Sequence, residues 1–469
     1  MSDAIVIGAG PTGLATAMLL AGAGVGVTVL ERDPAGIPDS PESAWDDWER
    51  RSVAQFRQVH FLQPTGYSVL VEQLPAVADE LRAVGAIQQN TVDLFGSMVP
   101  GLERQPGDEV FDTLTTVRRP VIELAFARAA EATGNVDVRR GTVVNALVTG
   151  PSAIDGVPHV AGVHLDTGET LLADLVVDAS GRRTSVPRLL ADVGAREPEE
   201  SGVEAGFTYN TRFYRGEHPE YLADMLSPLG SISMLTLRGD HDTWGVTIYH
   251  APDDKPLRAV RDPEVFERVV RAHPLHAHWV DGEPITDVAS MVSTANNQRT
   301  FVVDGVPAAT GIVPVGDAWG YTNPSIGRGI TLGLMHAVDV VSAISDRLDD
   351  PAGIPTAWQE ATELRAAPFH EATVAVDLTR GPEVAAARQG LPVPPSDDPV
   401  VQIGRALDSA RHYDPDVFRS WAEIASMRAD PLVVLGRPGV MERVLEVAAA
   451  NEPYQAPGPS RAELEASVA

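Results

Sequence analysis

The sequence predicts an α/β fold with a parallel βαβ unit at its start, an inserted sheet-rich domain and a helical C-terminal region. Three observations carry that prediction. An apolar run, Ala4 to Ile7, turns through Gly8 and Gly10 into a small-residue segment, Leu14 to Ala23, and a second apolar run, Val25 to Leu30, follows. Segments between residues 203 and 295 alternate side chains with period two, the mark of half-buried strands. From about Ile330 onward apolar residues recur at helical spacing, interrupted by Pro-rich joins near 391–396 and 452–459.

The first unit reads as a Rossmann-like dinucleotide site. In Gly8-Ala9-Gly10-Pro11-Thr12-Gly13, Gly8 permits the tight turn and Gly10 lets a pyrophosphate approach the backbone. Gly13 lets helix and strand pack closely, and the free N–H groups of the helix start attract phosphate. Glu31, eighteen residues after Gly13 and followed by Arg32, is placed to accept hydrogen bonds from adenosine ribose hydroxyls.

At 469 residues the chain has room for two or three domains. A net charge of −29, from 36 basic and 65 acidic side chains, disfavours nucleic acid and anionic membrane surfaces as partners. There is no cysteine, which removes disulfides, thiolate metal sites and cysteine nucleophiles. The first strand starts at residue 4 and no apolar stretch is long enough to span a membrane, so a cytoplasmic location without a signal peptide is expected. His273, His276 and His278 lie in a Pro-interrupted loop without matching acidic ligands, and no metal site is expected.

Along the chain, Asp33 to Glu49 reads as a loop, and helices are expected from Leu62 to Leu74 and from Pro75 to Gly85. Residues 91–118 read as irregular strands, followed by a helix from Val121 to Thr133 and a strand near Asp137 to Val148. A hairpin pairs Val160–His164 with Thr170–Leu172, and Leu171 to Asp178 reads as one buried strand. On Gly206 to Tyr214, Tyr209 falls on one face with Phe207, Thr211 and Phe213, and Arg212 on the other with Thr208, Asn210 and Tyr214. The expected partition is 1–75, 110–200 and 296–345 for the nucleotide domain, 76–109 and 201–295 for the sheet domain, and 346–469 for the helical region.

Three separated motifs now line up: the glycine turn, Asp178-Ala179-Ser180-Gly181-Arg182, and Gly316-Asp317-Ala318 continued by Asn323-Pro324-Ser325-Ile326-Gly327-Arg328-Gly329-Ile330. Their order and spacing resemble the para-hydroxybenzoate-hydroxylase-like flavoprotein monooxygenases. The segment Arg50–Leu62, with its Arg57-x-x-His60, and the strand Thr208–Arg215 are similar to the polyether-pathway flavin epoxidases and their bacterial relatives. The resemblance implies an FAD cofactor. It places Gly316 and Asp317 on the ribityl chain, and Pro324, Gly327, Gly329 and Ile330 against the flavin pyrimidine. It sets Arg57 against the flavin or its phosphates, Arg119 on the FAD chain, Val144 near the adenine, and Asp178 and Gly181 in the second nucleotide motif. A helix dipole starting at Gly329 suits the negative charge of a reduced flavin.

The activity implied is insertion of one oxygen atom of O₂ into an organic small molecule, by aromatic hydroxylation or alkene epoxidation, through a flavin C4a-hydroperoxide. NADPH or NADH, or a partner flavin reductase, supplies the electrons, and secondary metabolism is the expected setting. The residues expected to act on the substrate are Tyr209, Arg212 and His60, the last as a proton donor, with Tyr209, Trp244, Tyr249, Trp319 and Tyr321 lining its pocket. An FAD-dependent reductase of the geranylgeranyl-reductase type shares the fold and is the alternative. A flavin halogenase fits less well, because the sole lysine, Lys255, lies in a loop-like Asp-Asp-Lys-Pro segment.

Overall fold

The computed structural model describes residues 3–469. A five-stranded sheet runs in the order Ile312–Pro314, Leu175–Asp178, Asp3–Ile7, Gly26–Glu31 and Val136–Arg140. All four pairings are parallel, as expected where helices connect the strands and cover both faces. The Pro11–Gly22 helix packs on Arg119–Glu131 and on Gly329–Ile344. Gly13 has no alternative where this helix leaves the first strand: a Cβ would stand 2.0 Å from the Gly8 carbonyl oxygen.

The fold class follows the expectation, with local differences that have clear causes. Within Asp33–Glu49 a short helix, Pro41–Asp46, forms because Ser40 and Ser43 make a reciprocal capping box. Residues 91–118 are only partly strand. Asn90 caps a helix at Thr91–Phe95, and Val92, Phe95, Val99 and Leu102 are buried together at helix-like spacing. Only Asp112–Thr115 is extended there, paired with Ile87–Asn90. The single strand expected near Asp137 is two, Val136–Arg140 and Val144–Ile154, divided at Gly141, where φ is +68°. Leu171–Asp178 likewise divides between the three-stranded antiparallel sheet and the parallel one.

The second large sheet has seven strands. Six follow the order Leu226–Leu229, Ile232–Arg238, Thr243–His250, Glu199–Arg215, Ala289–Thr300 and Gly320–Tyr321, and Glu283–Pro284 pairs separately with the long Glu199–Arg215 strand. That strand shifts register against its neighbour between Glu204 and Phe207, and the shift fixes which residues face which way beyond it. Tyr209 then pairs with Tyr249, Thr211 with Thr247, and Tyr214 with Trp244. The Trp244 face is covered by the Pro263–Arg271 helix and Trp279. Trp244 is fully buried there, stacked on Tyr214 at 6.1 Å, with its indole N–H donating to the Trp279 carbonyl.

From residue 346 the described chain is helical, the longest element being Ala367–Ala387. No helix among the described residues is long and apolar enough to cross a membrane.

Trp244 is a core residue, so Trp244→Ala is expected to cost about 3–5 kcal/mol of stability. Calorimetry should show a lowered melting temperature, while FAD affinity measured below the transition stays unchanged. A weakened FAD affinity without a stability loss would contradict the packing role.

Candidate active site

Both helix starts that meet between the two large sheets, Pro11–Gly22 and Gly329–Ile344, lack a side-chain cap. Their first-turn N–H groups are therefore available to a ligand. Gly8, Gly10, Pro11, Thr12 and Gly13 line one end of a cavity of about 530 Å³, and Gly327, Gly329 and Ile330 line another stretch of the same cavity. A Cβ on Gly10, Gly181 or Gly329 would meet nothing within 4 Å, so the backbone there is open to close approach. Arg32, Arg119, Val144, Gly181, Asp317 and Pro324 complete this half. The donor set suits a pyrophosphate at the first helix, hydroxyls at Asp317 and an electron-rich ring edge at the second helix. The residues present fit FAD.

The other half of the cavity is formed by Tyr209, Leu235, Thr247, Tyr249 and Met291 from the seven-stranded sheet, facing the Gln58–Phe61 segment. The tyrosine rings lie 5.2 Å apart. Tyr209 donates its hydroxyl to Asn323 Oδ1 at 2.8 Å, and Tyr249 donates to the Ser325 carbonyl at 3.2 Å. Burial raises both phenols well above their usual range, so each remains protonated.

Behind the Asn323–Ser325 loop stands Asp377, on the Ala367–Ala387 helix. It accepts from Ser325 Oγ and from Asn296 Nδ2, and Asn296 Oδ1 in turn accepts the Asn323 N–H at 2.6 Å. Burial, only partly offset by hydrogen bonds from Ser325 and Asn296, raises the Asp377 carboxyl above its ordinary value. Asn323 Nδ2 lacks a hydrogen bond of normal geometry, although its amide adds to the groups lowering the Asp377 pKa.

Fold and cavity together define a flavoprotein of the para-hydroxybenzoate-hydroxylase type. The chain belongs to the FAD-binding domain family, whose model matches residues 1–367. It is 29% identical over 382 residues to Protein Rv3254 of Mycobacterium tuberculosis, covering 73% of each chain. Among solved structures it resembles PqsL, a probable FAD-dependent monooxygenase from Pseudomonas aeruginosa, with a TM-score of 0.59 and 16% identity over 81% of this chain and 95% of that one. It also resembles OxyS, the anhydrotetracycline hydroxylase from Streptomyces rimosus, with a TM-score of 0.54 and 18% identity, covering 91% and 76% of the two chains.

Several residues expected at the site lie elsewhere or act differently. Arg212 faces away from the cavity, donating to Glu267 at 2.6 Å and to the Thr286 carbonyl, because strand alternation puts it opposite Tyr209. Trp244 lies on that same far face. Trp319 is buried between His336 and His370, at centroid distances of 5.1 and 5.6 Å. Tyr321 pairs along the sheet edge and lies under Arg182 at 5.2 Å, outside the cavity wall, although its neighbour Thr322 belongs to it. Arg57 donates to the carbonyls of Trp45 and Trp48 and stacks 4.9 Å from the Trp45 ring, so it clamps that turn instead of the cofactor site.

His60 does line the cavity, but it is held neutral and its one ring proton is committed. Its Nδ1–H donates to the Gln58 carbonyl at 2.9 Å, and Nε2 accepts from Arg119 at 3.0 Å. Burial and the Arg119 charge push its pKa down to about 3. Asp178 is fully buried outside the wall, where it accepts from Ser180 and Thr184 and shapes the Ser180–Gly181 turn. Gly316 lies one residue behind Asp317, its N–H donating to His336 Nδ1 at 3.2 Å. Glu31 lines the cavity while accepting from Ala9 N–H, Asp33 N–H and Arg50, so about one of its four acceptor positions is left for a ribose.

Sequence reasoning missed Arg50, Gln58, Thr247, Ser325 and Asp377. Thr247 was open to inference, since it stands two residues from Tyr249 and shares its face. Nothing local marks Asp377, which reaches the site from 52 positions beyond Ser325.

Burial also depresses His336 to about 3, and His276 and His412 to about 4. A histidine whose folded pKa is lowered binds its proton first in the unfolded chain. Stability is therefore fully present above about 6.5 and is lost as pH falls, by about 1.4 kcal/mol per unit for each such histidine. Melting temperatures should drop between pH 7 and 5, with a shallower drop in His336→Asn. A melting temperature that rises on acidification would refute the assignment.

Proposed function

We propose that the protein is an FAD-dependent monooxygenase that inserts one oxygen atom of O₂ into an organic small molecule, by aromatic hydroxylation or alkene epoxidation, in bacterial secondary metabolism. The carrying observation is that the nucleotide cradle and an aromatic sheet wall share one cavity. FAD, when bound, supplies the redox-active ring that takes up two electrons and activates oxygen.

The chain's own residues bind, orient and shield. The Gly8–Gly13 turn would hold the pyrophosphate, Asp317 the ribityl hydroxyls, and the N–H groups from Gly327 to Ile330 the ring edge. Tyr209, Tyr249, Leu235 and Met291 form an apolar wall that orients the organic substrate and keeps water from the reacting centre. His60 contributes a fixed neutral surface and transfers no proton. The sole lysine, Lys255, is exposed and lies outside the cavity wall, which argues against capture of an oxidised halogen by that residue.

Two electron sources fit this reading, direct reduction by NADPH or NADH and delivery through a partner flavin reductase. The arginines at the cavity, Arg32, Arg182, Arg183 and Arg188, support approach of an anionic dinucleotide.

The decisive experiment supplies FAD-loaded protein with NADPH, NADH or a flavin reductase under ¹⁸O₂ and a panel of aromatic and alkene compounds. One ¹⁸O in the product and the other in water is the expected result. Saturation of an alkene without oxygen incorporation would replace this reading with the reductase one. Flavin bleaching by pyridine nucleotide alone separates the two electron sources.

A further inference from the structure

The polar end of the sheet wall has a fixed hydrogen-bond direction. The chain of bonds begins at the Ala289 carbonyl, which can only accept, and which takes a bond from Gln58 Nε2 at 3.3 Å. That contact orients the Gln58 amide and turns its Oε1 toward Thr211, whose hydroxyl donates to it. A hydroxyl has one proton, so the 2.8 Å contact between Thr211 and Thr247 must use the proton of Thr247. Thr247 therefore offers the cavity an acceptor lone pair and no donor.

Neighbouring polar groups are committed in the same sense. Tyr209 and Tyr249 donate to the Asn323–Ser325 loop, and the His60 N–H donates to the Gln58 carbonyl. The charge nearest His60 is also matched: Arg119 pairs with Glu123, which burial would raise but which Arg50 and Arg119 hold low. Arg119 keeps further N–H groups, but it belongs to the nucleotide half; among Gln58 and the sheet residues, the second N–H of Gln58 is a donor that these bonds leave uncommitted.

We infer that Thr247 and Gln58 together select a hydroxyl group on an otherwise apolar ring. The hydroxyl donates to Thr247 Oγ, accepts from Gln58 Nε2, and the ring lies against Tyr209, Tyr249, Leu235 and Met291. An ether or a bare hydrocarbon of the same shape has no proton to donate, and it would leave the buried acceptor unpaired. The inference rests on the proposed placement of the organic substrate at the sheet wall.

Binding to FAD-loaded protein tests it without turnover, using 2-naphthol, 2-methoxynaphthalene and naphthalene as probes in calorimetric titrations. The naphthol should bind about tenfold more tightly than the methyl ether, the effect of one hydrogen bond. Thr247→Val should abolish that preference and Thr247→Ser should keep it, with Thr247→Ala as a second truncation should the valine variant misfold. Equal binding of naphthol and ether, a preference that survives in Thr247→Val, or no binding by any ring probe would each overturn the inference. Discrimination that persists in a protein showing no ¹⁸O insertion would instead defeat the monooxygenase reading and leave this one standing.

Discussion

The nucleotide half of the site depends on the buried guanidinium of Arg50. Its nitrogens donate to Glu31, Glu123, Asp33 and the Ala9 carbonyl, so three separate stretches of chain, around residues 9, 31–33 and 123, converge on one cation. Burial alone would lower its pKa, but Glu123 and Glu31 outweigh that and hold it charged. Such a centre is weak evidence for net stability, because taking the charges out of water costs several kcal/mol. Its value lies in geometry. Glu31 cannot rotate away from the ribose position without giving up one of the buried cation's carboxylate partners.

A second fixed point lies across the cavity. The Asn323–Ser325 loop is held by Tyr209 and Tyr249 from the sheet and by Asp377 from the C-terminal helix. The matched family region ends at residue 367, so Asp377 contributes to the site from beyond it. The helical region thus supports the cavity from behind the Asn323–Ser325 loop without lining it. Among the described residues Asp377 forms no ion pair; its partners are neutral hydrogen-bonding groups, and burial raises its pKa against their opposing effect.

The nucleotide cradle was legible in the sequence because its information is local. Gly8, Gly10, Gly13 and Glu31 act through backbone conformation and short spacings, and the same holds for the Gly327–Ile330 turn. Arg212, Trp244 and Trp319 could not be placed that way. Alternation separates the faces of a strand but does not say which face meets the ligand, and that is decided by what packs behind it. Here the Pro263–Arg271 helix and Trp279 claim the Trp244 face. Arg57 shows the same limit on a smaller scale, since two carbonyls nine and twelve residues away capture its guanidinium.

The register shift between Glu204 and Phe207 gives the cavity a phase as well as a wall. Seen from the ligand, the Glu199–Arg215 strand carries two incompatible chemical alphabets, one of tyrosine and threonine and one of asparagine and arginine. The shift determines which of them is displayed. The face this strand presents to the pocket is thus set by an insertion-like irregularity several residues upstream, where no side chain lines the cavity. Lengthening or shortening the strand there by one residue would turn Tyr209 and Thr211 away and present Asn210 and Arg212 in their place, beside an unchanged Leu235, Thr247, Tyr249 and Met291.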